Sequence, residues 1–277
     1  MIVDAHHHLW DPEAAEYPWL TEELAVIRRR FDADHLHHEI QHNGVDATVV
    51  VQTRSSEEET RDFLAVAKAN PFIVGVVGWV DLTADDVGDR IAAFDGPMVG
   101  IRHQVHDEED PSWLERDDVA RGLTAVQRAG LVYDLLVRTR EMPYAVSTAQ
   151  RHPDLSFVLD HLGKPPIASG DISAWRAAIA PLAAQSNVVC KLSGLVTEAD
   201  WSGWKVDDLR PAVEVALDLF GPDRLLFGSD WPVCLLAASY HDVKTAAEEL
   251  TRNCSDSERA AIFGGNAMRV YGLEAAL

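Results

Sequence analysis

The sequence is poor in cationic residues and has no long apolar run. Its 277 residues include 24 Lys and Arg against 45 Asp and Glu, a formal charge of −21. That excess of negative charge argues against nonspecific binding to nucleic acid or to an anionic membrane surface. Because no run of about 18 apolar residues occurs, no membrane-spanning helix is predicted. We therefore expect neither a nucleic-acid nor a membrane partner.

Cysteine is also scarce, and Cys190, Cys234 and Cys254 form no C-x-x-C pair. An odd number of cysteines does not indicate a disulfide framework, so reduced thiols are expected. No basic stretch followed by an apolar one opens the sequence, and the expected location is cytoplasmic. The length suits one α/β barrel, which reaches about 250 residues. We expect a single domain over residues 1–277.

Apolar, β-rich runs alternate with segments of helical periodicity. Eight near-continuous apolar strands predict a parallel sheet that is buried on both faces. Closure into an α/β fold of the (β/α)8 type, a TIM barrel, explains that number better than an open sheet, which is the alternative. The predicted strands are Ile2 to His8, Ala47 to Thr53, Phe72 to Val80, Met98 to Val105, Leu131 to Val137, Ser156 to Leu162, Val188 to Leu195 and Leu225 to Asp230.

Helix boundaries are marked by residues that cap helix ends. A serine or threonine followed three residues later by an acidic residue is the spacing of an N-terminal cap and its reciprocal partner. Such pairs are Ser56 with Glu59, Thr83 with Asp86, and Ser255 with Glu258. Gly130 and Gly221 are predicted to end helices, and Gly264 interrupts the last one.

Polar side chains gather where the predicted strands end. Because side chains alternate along a strand, His6 and His8 share one face and His7 takes the other. In a barrel, the carboxyl ends of all strands meet at one mouth. The residues placed there are His6, His8, Gln52, Arg102, Gln104, His161, Lys191, Ser193 and Asp230. Alternation places His161 opposite its neighbour Asp160, and in strand five either Tyr133 or Asp134 faces inward.

This combination is typical of an active site, although each member alone has a simpler explanation. Two imidazoles and a carboxylate can bind a divalent metal or polarise a carbonyl while the carboxylate activates water. Arg102 and Lys191 would alternatively form structural ion pairs inside the barrel. His38 and His42 share a face of a helix that is predicted to face solvent. The two tryptophans that follow the polar clusters, Trp10 and Trp231, either line the pocket or pack in the core.

Several of these motifs together resemble the amidohydrolase superfamily, and within it the amidohydrolase-related branch that contains lactonases for sugar acids and dicarboxylates. The resemblance spans essentially the whole chain. It rests on Asp4 to Trp10, Gly100 to Arg102, Asp160 to Pro165, Lys191 to Gly194, Gly228 to Pro232 and Asn266 to Tyr271.

The resemblance implies a (β/α)8 barrel that hydrolyses a cyclic ester, so the expected partner is a small-molecule lactone. Asp230 would be the general base, and His6, His8 and His161 would polarise the carbonyl. Substrate binding would involve Arg102, Gln52, Lys164, Lys191 and Trp231. Metal-dependent members of the superfamily usually add a histidine from strand five, and Leu131 to Val137 contains none.

A two-metal site is therefore not expected. One divalent ion, Zn²⁺, could be held by His6, His8 and Asp230, with Asp134 or His161 completing the shell, or the same residues could act without metal. The alternative functions are a metal-dependent decarboxylase of an unsaturated acid and a non-catalytic binding barrel. Whether the chain forms a homo-oligomer stays open.

Overall fold

Eight parallel strands form a closed barrel in the computed structural model, which describes residues 1–273. The strands follow one another in chain order around the sheet. Backbone hydrogen bonds from His8 N to Trp231 O (2.7 Å) and from Asp230 N to His6 O (2.8 Å) join the last strand to the first. The strands are β1 (Val3–His7), β2 (Ala47–Val51), β3 (Ile73–Gly78), β4 (Met98–His103), β5 (Val132–Leu135), β6 (Phe157–Leu159), β7 (Val188–Leu192) and β8 (Leu225–Phe227). The predicted TIM barrel is confirmed; the end of the predicted domain, residues 274–277, lies outside the described part.

Ten α-helices occur within residues 1–273, and the first eight follow the eight strands. None of them is both long and apolar enough to cross a membrane. They are α1 (Ala33–Asn43), α2 (Glu57–Ala69), α3 (Val87–Ala92), α4 (Asp117–Arg128), α5 (Met142–Arg151), α6 (Ser173–Ala183), α7 (Val206–Phe220), α8 (Tyr240–Leu250), α9 (Asp256–Ala260) and α10 (Asn266–Tyr271). A π-helical turn at Ala261–Gly265 separates α9 from α10. That turn is the interruption predicted at Gly264.

Two of the three predicted caps form, and the third prediction was wrong. Ser255 and Glu258 make the full reciprocal cap of α9. At α2, Ser56 accepts from the backbone of Glu59, but the Glu59 carboxylate turns to the backbone N–H groups after β2. Thr83 caps nothing, because its backbone and hydroxyl both donate to Asp81 two residues earlier. That local turn competes with the predicted cap.

The core has an inner and an outer layer. Small side chains fill the barrel, among them Val3, Ala5, Val49 and Val77, whereas larger residues pack between strands and helices. On β1 one extra residue interrupts the pairing with β2 between Asp4 and His7. Such a bulge re-aims side chains. Because of the bulge, the consecutive residues Ala5 and His6 both face the interior, where regular alternation would place only one of them.

The outward side chains around this bulge join β1 to β2 and to the segment that follows β8. Asp4 accepts hydrogen bonds from Ser229 N (2.8 Å) and from the Tyr240 hydroxyl (2.8 Å). His7 points out of the barrel, as predicted, and its Nε2 lies 3.0 Å from Thr48 Oγ1. The polar cluster at the start of the chain is thereby fixed against the cluster that follows β8.

The buried His7 should make the protein less stable in mild acid. Burial lowers the pKa of His7 to about 3, so below pH 6.5 the unfolded chain binds a proton that the folded chain excludes. At pH 5 this costs about 2 kcal/mol of the unfolding free energy. We expect His7→Gln to lose less stability than the wild type between pH 7 and pH 5, measured by urea denaturation. Equal losses would contradict this expectation.

Candidate active site

Four polar side chains converge at the mouth of the barrel: His6, His8, His161 and Asp230. Oδ1 of Asp230 lies 3.8, 3.5 and 3.9 Å from the Nε2 atoms of His6, His8 and His161. The Nε2 atoms of His6 and His8 are 3.1 Å apart. None of the four residues is more than 5% exposed. The structure therefore brings together all four predicted catalytic residues.

Left-handed backbone conformations at His161 and Asp230 direct these two side chains toward the site. His161 has φ 53° and Asp230 has φ 56°, directly after β6 and β8. Non-glycine residues adopt this region at a cost of about 1–3 kcal/mol and often do so at functional sites. The turn at His161 also ends strand alternation, so the prediction that Asp160 and His161 face opposite ways was wrong. Both point into the barrel, and β6 ends before them.

Ser193 and Gly194, which follow β7, hold the His161 ring. Ser193 Oγ lies 2.9 Å from His161 Nδ1. Gly194 has φ +65°, and a Cβ atom at this position would be 2.5 Å from the same nitrogen. Glycine is therefore required both by the backbone and by the close approach of the imidazole.

A buried ionic layer lies beneath the four residues. Lys191 Nζ contacts Asp134 Oδ2 (2.5 Å), Asp160 Oδ1 (3.0 Å) and His6 Nδ1 (3.1 Å). Arg102 Nη1 donates to Asp160 Oδ2 (2.9 Å). Two cations thus face two carboxylates, and Asp134, not Tyr133, is the residue of β5 that enters this layer. Asp160 was not predicted as a site residue, although Arg102 and Lys191 inside one barrel require two buried carboxylates.

The pKa shifts in the site follow from burial and from this layer. Burial and the Lys191 ammonium hold the pKa of His6 well below its usual range, so its imidazole is neutral near pH 7. Burial lowers the pKa of His161 to about 4. Burial alone would raise the pKa of Asp230, but His161 and His8 lower it below its usual value. Asp230 is therefore an anion, the form a general base needs.

Burial, opposed by Lys191, raises the pKa of Asp134 to about 6. For Asp160 the opposite holds, because Lys191 and His6 outweigh the effect of burial and keep its pKa well below the usual range. Both carboxyl groups are ionised at neutral pH, which balances the two cations.

The residues predicted to bind substrate take different positions. Gln52 is buried, and its Oε1 accepts from Arg102 Nη2 (2.9 Å). Lys164 lies at the rim, where Nζ contacts Glu198 Oε1 (2.6 Å). Trp231 is 1% exposed and packs edge-on against Phe31, 5.3 Å between ring centroids. Arg102, Gln52 and Lys191 make their polar contacts with other buried groups of the barrel. Their roles in substrate binding stay predictions.

Two concave regions lie outside the four central residues. One of about 610 Å³ opens beside the barrel mouth and is lined by residues that follow β2 and β4, among them Thr53, Arg54 and Gln104. Another of about 820 Å³ lies between the loop after β1 and helices α1 and α2. Trp10 lines the second, and none of the four central residues lines either cavity. The first is the one lined by residues that follow strands β2 and β4.

Whether a metal ion fits the site depends on which ring nitrogens of His6 and His8 have a free lone pair. His8 Nδ1 donates to Val51 O (2.7 Å), which leaves the lone pair of the neutral ring on Nε2. His6 Nδ1 lies between a donor, Lys191, and an acceptor, Asp160 Oδ1 at 3.3 Å. When Nδ1–H donates to Asp160, the Nε2 lone pairs of His6 and His8 face each other, and Arg102 Nη1 lies 3.4 Å from that of His6. A divalent ion between the two rings would bind both lone pairs.

The donor set of such a site is suitable for zinc, which neutral imidazoles and carboxylates bind. Donor atoms of His6, His161 and Asp230 all lie within 4.8 Å of one another, and His8 adjoins them. When Lys191 instead donates to His6 Nδ1, His6 Nε2–H can donate to His8, an arrangement that needs no ion.

A model of the amidohydrolase family matches residues 3–273. The chain belongs to this family. Two L-fucono-1,5-lactonases are similar over 98% of this chain and 96% of their own lengths: that of Burkholderia multivorans is 43% identical, and that of Burkholderia ambifaria is 39% identical. A crystal structure of an amidohydrolase from Burkholderia multivorans with bound zinc superposes with a TM-score of 0.95 at 41% identity, covering 98% of this chain and 99% of that one.

After dialysis against a chelator, the protein should take up one Zn²⁺ per chain. Asp230→Asn removes the anionic donor and is expected to weaken binding at least about 10-fold, measured by competition with a chromophoric chelator. The exposed imidazoles of His38 and His42, whose ring centroids are 4.1 Å apart, provide the control. Binding that is lost in a His38→Gln/His42→Gln variant and kept in Asp230→Asn would contradict the predicted site.

Proposed function

We propose that this protein is a lactonase that opens a sugar-derived lactone, an aldono- or aldarolactone, to the free acid. The observation that carries this proposal is one anionic carboxylate, Asp230, held against three imidazoles at the mouth of the barrel. The 43% identity to an L-fucono-1,5-lactonase over nearly the whole chain supports the substrate class.

In the proposed reaction, Asp230 takes a proton from water as the water oxygen attacks the lactone carbonyl carbon. The tetrahedral intermediate then collapses with cleavage of the bond between that carbon and the ring oxygen. The ring oxygen receives the proton from Asp230, and the product is a hydroxy acid. Because the pKa of Asp230 is lowered, the base form is available at the start of each cycle.

His6 and His161, each protonated on Nε2, would donate to the negative charge that develops on the carbonyl oxygen, whereas His8, whose Nδ1 donates to Val51 O, would act on that oxygen through a bound ion. Loss of a single donor of this kind costs about 2.7–4 kcal/mol. A divalent ion held by His6, His8 and Asp230, with His161 beside them, would supply Lewis-acid polarisation of the same oxygen. Lys164 at the rim and the cavity of about 610 Å³ would receive the hydroxyl-bearing part of the substrate.

A panel of sugar lactones, followed by acid release with a pH indicator, tests the proposal. The assay is run with the zinc-loaded protein and with chelator-treated protein, so that ring opening and the metal requirement are measured together. We expect ring opening of at least one aldonolactone. Carbon dioxide release from an unsaturated acid would favour the decarboxylase instead, and tight binding of a lactone without turnover would favour a binding barrel.

Asp230→Asn should lower kcat by about 100- to 10,000-fold, because the amide cannot accept the proton from water. Circular dichroism and thermal melting report whether the fold is retained. A variant that keeps most of its turnover would exclude Asp230 as the base.

Gly194→Ala should lower kcat at least about 10-fold, because the added Cβ atom would lie 2.5 Å from His161 Nδ1. Gly170→Ala is the matched control, since Gly170 has φ +71° and no atom within 4 Å of an added Cβ. Both variants pay the left-handed backbone strain of about 1–2 kcal/mol, but only Gly194→Ala disturbs the site. Equal turnover in the two variants would argue against a role for His161.

A further inference from the structure

Helix α10 reaches the active site from the opposite end of the barrel. Its Asn266 side chain donates to the carbonyls of Pro222 and Leu225, both 2.8 Å away, and so anchors the helix at the start of β8. Tyr271, the last residue of the helix, packs with the small side chains that fill the barrel. The described C-terminal segment therefore closes the amino-terminal end of the barrel and inserts a phenol into it.

The Tyr271 hydroxyl contacts the ionic layer beneath the catalytic residues. Its oxygen lies 2.9 Å from each carboxylate oxygen of Asp134. Lys191 Nζ lies 5.6 Å from the centre of the Tyr271 ring, so the lysine is bounded by the ring as well as by Asp134. The phenol thus fixes the orientation of the carboxylate that holds Lys191.

Lys191 is the link between this pair and the candidate catalytic histidine. Its ammonium contacts His6 Nδ1 at 3.1 Å, and Asp160 Oδ1 competes for the same nitrogen at 3.3 Å. The partner that Nδ1 takes, together with His8 Nε2 (3.1 Å) and Arg102 Nη1 (3.4 Å) beside the other ring nitrogen, sets which nitrogen of His6 carries the proton. Any displacement of Lys191 should change the balance between these two partners.

We propose that Tyr271 is a positioning residue for His6, acting through Asp134 and Lys191. Resting on the proposed lactonase function, the inference assigns a role in turnover to a side chain that does not touch the substrate. Tyr271→Phe removes only the hydroxyl and keeps the ring that packs in the barrel. Tyr133→Phe is the matched control, because Tyr133 is buried beside Asp134 and its hydroxyl has no hydrogen-bond partner among the described residues.

The decisive measurement is the ¹⁵N spectrum of histidine-labelled, metal-free protein at one pH. The chemical shifts of the two ring nitrogens report which one is protonated, and His6→Asn assigns the His6 signals. We expect Tyr271→Phe to shift both His6 ring nitrogens and Tyr133→Phe to leave them unchanged. In the lactone assay, kcat of Tyr271→Phe should fall about 10-fold, as for outer residues around a metal ligand, with KM changed less than about twofold.

Superimposable His6 signals in Tyr271→Phe and the wild type would overturn the proposal. If the wild type opens no lactone, the proposed function fails, and the spectrum still decides whether Tyr271 positions His6. Should Tyr271→Phe not fold, Asp134→Asn tests the link through which Tyr271 would act, since it removes the charge that holds Lys191. Unchanged His6 signals in Asp134→Asn would then overturn the proposal. A change in melting temperature alone, with unchanged His6 signals and kcat, would leave Tyr271 a structural residue only.

Discussion

The balance of buried charge around Lys191 is the constraint on which the rest of the site depends. An ammonium with no exposed surface would be too costly to bury without partners. Asp134 and His6 supply partners from two other strands, and Asp160 supplies one from the turn after β6. Because the layer binds strands from opposite sides of the barrel, it sets the position of His6 and, through Arg102, of Gln52. The positions of the candidate catalytic residues above this layer therefore depend on its electrostatic interactions, whereas the small apolar residues below it only fill space.

The barrel and the shared face of His6 and His8 could be predicted because both depend on simple periodicities, whereas the candidate catalytic roles came from the family resemblance. Eight apolar runs gave the strand number, and the spacing of His6 and His8 gave their shared face. The partners of Arg102 and Lys191 could not be predicted in the same way, since a side chain at a strand end can turn toward substrate or toward a carboxylate across the barrel. Counting charges inside the barrel would have identified Asp160, but no local pattern marks it.

Alternation failed at Asp160 and His161, where the backbone turns left-handed. His161 and Asp230 are not glycines, and nothing in their neighbourhood predicts φ near +55°. Their conformations are imposed by tertiary contacts: Asp230 N donates to His6 O, and the His161 ring rests on Gly194. Strained residues at functional positions are where rules based on local propensity are expected to fail.

The insertion of Tyr271 into the barrel has a consequence for how the protein is made. His6 precedes Asp230 and Tyr271 by more than 200 residues in the chain, so it leaves the ribosome well before them. Contacts of such high sequence separation form late, because the entropy of closing a long loop opposes them. The histidines of β1 must therefore remain without these partners until Asp230 and Tyr271 have been synthesised, and a chain that terminates before Asp230 would lack the site.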